Sequence, residues 1–245
     1  MRKHVPALLI ITTLLSGCAS EDIASVMNEM TRASQSGAGS SLTQTEIISG
    51  LKEALRVGSD TVVRQLGTTD GFNTDPLIHI PLPKSLHKAR NLAEKIGMGG
   101  HFQTLELKLN RAAEAATPKA KALFFDAIKQ MTLTDAKNIL RGSDDAATRF
   151  FQQKMSPALS RQMRPIVTNT LSDVGALKAY EKATNSLGPF SQALPDYKSE
   201  LTSHVVKLGM DGIFSYLAKE EAAIRNNPVK RTSEILRRVF GSLGY

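Results

Sequence analysis

The chain has 245 residues, 31 Lys and Arg against 23 Asp and Glu, a formal net charge of +8, one Cys and no Trp. That length can bury a core without covalent staples and suits one domain or two closely packed ones. A lone Cys excludes a disulfide framework and a Cys-rich metal centre, and an aromatic content of 5% argues against stacking platforms for sugars or bases.

The first element is an address. Arg2, Lys3 and His4 precede an apolar run over residues 5–15 that is too short to span a bilayer, and small residues then lead into Cys18. This is the layout of an export signal. Leu15-Ser16-Gly17-Cys18 resembles the lipobox of bacterial lipoproteins. There the thiol takes a diacylglyceryl group, the peptide is cut before the Cys, and the new amine is acylated. The expected mature chain starts at Cys18, having lost residues 1–17. Loss of Arg2 and Lys3 lowers the charge from +8 to +6. Ala19, rather than Asp, after the lipidated Cys points to the periplasmic face of the outer membrane by the sorting habit of enteric-type lipoproteins. A basic protein there meets the membrane through its anchor and anionic envelope components, and nucleic acid is not an expected partner. The charge is dispersed, so much of it reads as solvated helix surface.

Residues 18–43 read as the lipidated N-terminus and a tether. Ile23, Val26, Met27 and Met30 have helical spacing, and residues 34–41 have linker composition. A coil of this length has a reach of roughly 25–30 Å.

From Thr43 onward helix signals recur. Thr43 and Glu46 have capping-box spacing before Ile47, Ile48, Leu51, Leu55 and Val62, and Asp70-Gly71 breaks that helix. Leu77-Ile78-His79-Ile80-Pro81-Leu82-Pro83 is the clearly extended segment. Its prolines forbid a central strand and leave an edge strand or a polyproline-like lead-in. A helix over 84–96 follows, ended by Gly97-Met98-Gly99-Gly100. Phe102, Leu105, Leu109, Ala112 and Ala116 mark the next stripe. Thr117-Pro118 is expected to close that helix and open another, central one, with Ala120, Phe124, Ala127, Ile128 and Met131 on one face.

Downstream, Thr132 with Asp135 opens a short helix ending at Gly142, and Ser143 or Asp144 caps one carrying Phe150 and Phe151. Ser156-Pro157 begins a third, and Pro165 kinks or breaks the segment after it. Gly188-Pro189 and Pro195 bound a loop. Residues 197–225 form the longest pattern, with Leu201, Val205, Leu208, Gly212 and Tyr216 inward. Gly209 and Gly212 each cost about 1 kcal/mol of helix propensity against Ala, which a close helix crossing offsets.

Asn227-Pro228 starts a final helix. Val229, Thr232, Ile235, Leu236, Val239 and Phe240 make its apolar face, among Lys230, Arg231, Arg237 and Arg238. That pattern suits a helix docked on the core, and more weakly a basic helix lying on an anionic bilayer. Together the elements predict an all-α fold: a compact multi-helix domain over residues 44–245, of about eight to ten helices with one short extended Pro-flanked segment.

Several blocks carry a family resemblance. They are Ile48-Ser49-Gly50-Leu51-Lys52-Glu53-Ala54-Leu55-Arg56-Val57-Gly58, Ile80-Pro81-Leu82-Pro83, Asn110-Arg111-Ala112-Ala113-Glu114, Phe125-Asp126-Ala127-Ile128-Lys129-Gln130-Met131, Asp135-Ala136-Lys137-Asn138-Ile139-Leu140-Arg141-Gly142 and Arg164-Pro165-Ile166-Val167. In this order, from Thr43 to Gly241, they resemble the bacterial family of domain of unknown function 4197. The resemblance implies an exported, mainly helical protein and no particular reaction.

No catalytic constellation emerges. His79, His87, His101 and His204 are scattered without an HExxH or a Cys partner, so no metal site is expected, and no cofactor motif is present. The chemistry-bearing pattern is polar and helical: Glu106, Asn110 and Glu114 lie at i, i+4, i+8 beside the apolar stripe. If Thr117-Pro118 is a hairpin, Asn110, Arg111 and Glu114 meet Asp126 and Lys129, and Arg149 and Arg164 add cationic walls to a candidate pocket. The competing reading is boundary and surface ion pairs, each worth about 0–1 kcal/mol. The functional expectation is a lipid-anchored envelope protein that works by binding or as an interaction module. The alternatives are a carrier of a small amphipathic or acidic ligand between helices and, third, an unrecognised enzyme.

Overall fold

The computed structural model describes residues 42–185 and 197–241. The lipobox, the tether up to residue 41 and the Gly188-Pro189 and Pro195 turn lie outside the described residues. Among the described residues eight α-helices follow in order: α1 (Gln44–Leu66), α2 (Lys84–Lys95), α3 (Gly100–Lys129), α4 (Leu133–Leu140), α5 (Ala146–Asp173), α6 (Ala176–Asn185), α7 (Tyr197–Asn226) and α8 (Glu234–Gly241), with a 3₁₀ turn at Pro228–Lys230 before the last. Among the described residues there is no strand, and the fold is all-α.

Local chemistry starts several helices where the sequence places them. Thr43 and Glu46 close a reciprocal capping box, Glu46 N donating to Thr43 Oγ1 (3.2 Å) and Thr43 N to Glu46 Oε2 (2.8 Å). Thr132 and Asp135 repeat it at α4. Gly97, at φ +76°, ends the turn after α2, and Met98 N returns to Ala93 O at 2.7 Å.

At the centre lies α3, packed against α1, α5, α6 and α7. Its alanines at 112, 113, 116 and 120 let neighbours approach closely, and Phe124 meets Phe214 edge-on at 6.1 Å. The hairpin expected at Thr117-Pro118 is absent: α3 runs straight through Pro118. An interior proline costs about 3 kcal/mol, but Ala113, Ala116, Thr117 and Ala120 around it are all buried. The Pro118 ring fills the space over Gly67, where an added Cβ would stand 2.7 Å from Pro118 Cγ.

The predicted helix boundary at Ser156-Pro157 and the break at Pro165 are likewise missing, because α5 spans both. The carbonyls four residues earlier, which lose an N–H partner, belong to Gln153 and Arg161. Both residues are exposed, so water can serve them.

The cap expected from Ser143 or Asp144 is replaced from a distance. The start of α5 has no side-chain cap of its own. Instead the buried Glu221 carboxylate on α7 accepts Ala147 N (2.9 Å), Thr148 N (2.8 Å) and Thr148 Oγ1 (2.9 Å). Arg225, fully buried, donates to Glu221 Oε1 (3.0 Å) and Ile139 O (3.0 Å) and lies over the Phe240 ring. Arg231 closes the end of α7 through Ile224 O (3.1 Å) and Arg225 O (2.6 Å).

The final element is shorter than its apolar pattern. Val229 is 86% exposed on the 3₁₀ turn and Arg231 is buried, so neither belongs to the helix face expected of it. Leu236, Val239 and Phe240 of α8 are buried, and Val239 sits where a Cβ on Gly50 would be, 2.5 Å away. The apolar face of α8 is spent on the core, which removes the membrane-surface reading of this helix.

Removing Glu221 strands Arg225 and two backbone donors. Glu221→Ala should cost about 3–5 kcal/mol in denaturant unfolding, and with Arg225→Met the loss should fall short of the sum of the single changes. Phe124→Ala should cost about 3–5 kcal/mol by the same measurement, whereas Asp126→Ala should stay under about 1 kcal/mol.

Candidate functional site

Between α1 and α2 the chain crosses α3 as a strap over residues 67–83. Phe72, Ile78, Ile80 and Leu82 are buried beneath it, so its backbone groups leave water and need partners. The polar row on α3 provides them. Asn110 Oδ1 accepts Ile80 N (2.9 Å), while its Nδ2 donates to Ile80 O (2.9 Å) and Glu106 O (2.9 Å). Glu106 Oε2 accepts Leu82 N (3.1 Å), and Glu114 Oε1 accepts Phe72 N and Asn73 N (3.2 Å each).

The spacing explains the fit. Residues four apart on a helix are about 6 Å apart along its axis. Alternate N–H groups on an extended chain are about 6.6 Å apart. Running antiparallel to the strap at Ile80 and Leu82, the helix ridge therefore acts there as a surrogate strand for an edge that has no sheet. Glu114, by contrast, meets Phe72 and Asn73 in a turn. Leu77 and Ile78, which the sequence places in the extended segment, are in a turn as well.

Charges complete the pinning. Glu114, 3% exposed, receives Arg111 Nη1 at 2.7 Å, and Arg111 Nη2 reaches Asp70 at 2.7 Å. Glu114 beside it raises the Arg111 pKa above its ordinary value, with Asp70 adding to the effect. Asp70 has a positive φ of 66° and is fixed by Asn73 Nδ2 (2.9 Å). That amide and the Arg111 guanidinium hold its carboxyl below the usual carboxylate range. Tyr216 donates its hydroxyl to Asp75, which lowers the Asp75 pKa, together with the Leu77 N–H. Gly212 of α7 has no Cβ because Phe72 and Ile78 occupy its place, at 3.0 and 3.1 Å from an added one. Its close approach is thus to the strap rather than to another helix.

Three imidazoles address the same segment. His79 lies between Asn73 O (2.8 Å) and Glu106 Oε1 (3.0 Å). His87 meets Leu82 O at 3.1 Å and His204 meets Pro81 O at 2.7 Å. Burial holds His204 below its ordinary pKa, although the Pro81 carbonyl and Glu200 oppose that shift. An open cleft of about 240 Å³ beside His79 is lined by Asn73, Arg90, Glu94, Gln103 and Glu106. Both Glu106 oxygens are committed to the strap, so the cleft presents a hydrogen-bonding wall. A shallower cleft of about 470 Å³ runs past Lys108, Arg111 and Asp173. Among the described residues no three His, Cys, Asp or Glu side chains gather as a metal site.

The sequence-derived pocket is divided by this geometry. Asn110, Arg111 and Glu114 do converge, on the strap. Because α3 is unbroken, Asp126 stands about 24 Å along the axis from Asn110 and forms an exposed pair with Lys129 at 3.1 Å. Arg149 pairs with Asp145 at 2.7 Å, and Arg164 donates to Ser203 Oγ at 3.1 Å, both outside the strap. No sequence motif marks Asp70 or the Glu221–Arg225 pair as site residues, and His79 stands in the sequence without a ligand partner. The detectable signal was Glu221 continuing the stripe of Phe214 and Leu217 at helical spacing.

An all-helical domain organised around a pinned strap is the class these features define. Residues 41–241 match the family described as "Protein of unknown function (DUF4197)", and the chain belongs to that family. No curated protein and no solved structure matches it.

Asn110→Leu removes both partners of Ile80 and should cost about 2–5 kcal/mol. Hydrogen exchange should accelerate first over residues 72–82. A lowered His204 pKa means that the unfolded state binds the proton more readily. Its contribution to stability is full above pH 6.5, the ordinary value, and is lost as pH falls through the folded pKa. Thermal melts from pH 7 to 5 should therefore decline less steeply for His204→Gln, which keeps a donor for Pro81 O.

Proposed function

We propose that the protein is a lipid-anchored component of the bacterial envelope. It is held through Cys18 at the periplasmic face of the outer membrane, and its helical domain works as a binding or interaction module. The observation that carries this reading is Leu15-Ser16-Gly17-Cys18 behind a basic start and an apolar run. No helix among the described residues is long and apolar enough to cross a membrane, so on this reading the acyl chains supply the attachment, and two or more suffice for stable anchoring.

The shape of the domain favours an interaction module over a carrier. Small-molecule sites typically enclose about 300–1,000 Å³. The clefts beside His79 and Arg111 are open, as is one of about 290 Å³ beside Lys52 and Phe125, and a space lined by Leu51, Leu55, Leu217 and Phe240 measures about 10 Å³. Polar side chains along the strap hold backbone rather than await a ligand.

Labelling of the native host with a fatty acid, followed by mass analysis of the N-terminal peptide, tests the anchor. The expected result is acylated Cys18 at the mature N-terminus and fractionation with membranes. Cys18→Ser should abolish both, since oxygen does not replace the thiolate as nucleophile. An unacylated Cys18 in the native host overturns the reading.

A further inference from the structure

Helix α2 is bound to the fold along one face, through Leu86, Ala89 and Ala93. Its other face is in water. On a 3.6-residue turn Lys84, Lys88, Asn91 and Lys95 fall within about 60° of arc, with Leu92 and Ile96 on one flank and Arg90 and Glu94 on the other. The last two neutralise each other, Arg90 Nε standing 3.4 Å from Glu94 Oε1. None of the three lysines forms an ion pair with a described residue. Beside them Leu92, Ile96 and Met98 are 36%, 55% and 42% exposed. They are three of the five large apolar side chains exposed among the described residues, gathered within seven positions. Gly97 at φ +76° and the Met98 N–H bond to Ala93 O fix the corner that carries Ile96 and Met98.

We propose that this face docks on an anionic lipid bilayer, its lysines against phosphate-bearing headgroups and Leu92, Ile96 and Met98 in the boundary beneath. A row of unpaired cations flanked by exposed apolar side chains matches both chemistries of that boundary. A second copy would set the same lysines against each other on a chain that still carries +6 once Arg2 and Lys3 are lost. The inference deepens the envelope reading, which supplies the bilayer within reach of the tether. The attraction of the face itself does not need lipidation.

The test uses residues 19–245, which keep every buried core residue named above and lack the acyl chains. The chain is sedimented with vesicles of phosphatidylcholine alone or mixed with phosphatidylglycerol. Binding is expected only to the anionic vesicles, and salt should weaken it. Each lysine contributes about fivefold, so Lys84→Glu with Lys88→Glu and Lys95→Glu should abolish binding. Ile96→Ser with Met98→Ser should weaken it about tenfold and leave the salt dependence unchanged. Lys137→Glu with Lys178→Glu and Lys182→Glu, an equal charge change on α4 and α6, should retain most of the binding, and all variants should melt like the parent.

Three outcomes overturn the proposal: no binding at low salt, equal loss in the two lysine sets, or light scattering that shows a dimer dependent on Ile96 and Met98. None of them alters the acylation of Cys18, which the labelling experiment reads separately.

Discussion

Backbone that enters an apolar core must find hydrogen-bond partners, and the strap over α3 finds them in side chains rather than in a sheet. Asn110 holds both polar groups of Ile80, with Glu106 and Glu114 one turn to either side serving Leu82, Phe72 and Asn73. Each such group left unpaired would cost about 1–3 kcal/mol, so the row decides where the strap can lie. Its position then sets others. Phe72 and Ile78 reach the gap at Gly212, and Pro83 delivers the chain to the start of α2.

The fold uses one electrostatic device twice. Glu114 and Glu221 are both buried carboxylates that accept a pair of adjacent backbone N–H groups and are balanced by an arginine on their own helix, Arg111 three residues before or Arg225 four residues after. Glu114 ties the strap to α3, and Glu221 ties α7 to the start of α5. Burying a carboxylate is costly unless its charge and lone pairs are met, and here both are. Both carboxylates are thus committed to holding strap and helices together, away from the outer surfaces.

Those surfaces are unequal. The most amphipathic of the described helices, α8, has its apolar side against Gly50 and its Arg238 on Glu46 at 2.7 Å. By contrast α2, tied down by three small or medium side chains, leaves its lysines and its neighbouring apolar groups facing outward. Amphipathic pattern alone does not separate the two cases. What separates them is whether the core has a recess for the apolar face, and Gly50 makes one for Val239.

Residue order alone carries the helical class, the capping boxes at Thr43 and Thr132, the turn at Gly97 and most of the buried stripes. These depend on contacts within about one helical turn, where residue type is sufficient. It also marked Glu106, Asn110 and Glu114 as a polar row, and Gly212 as a point of close approach, though to another helix and not to the strap that fills it. Tertiary structure alone decided that α3 passes through Pro118 and α5 through Pro157 and Pro165. It also dispersed Asp126, Lys129, Arg149 and Arg164, and capped α5 from Glu221, 74 residues away from Ala147. A proline's penalty of about 3 kcal/mol is local, whereas the burial that outweighs it comes from neighbours distant in sequence. The same holds for the side chain that reaches a distant helix end, because its partner exists only once the chain has folded.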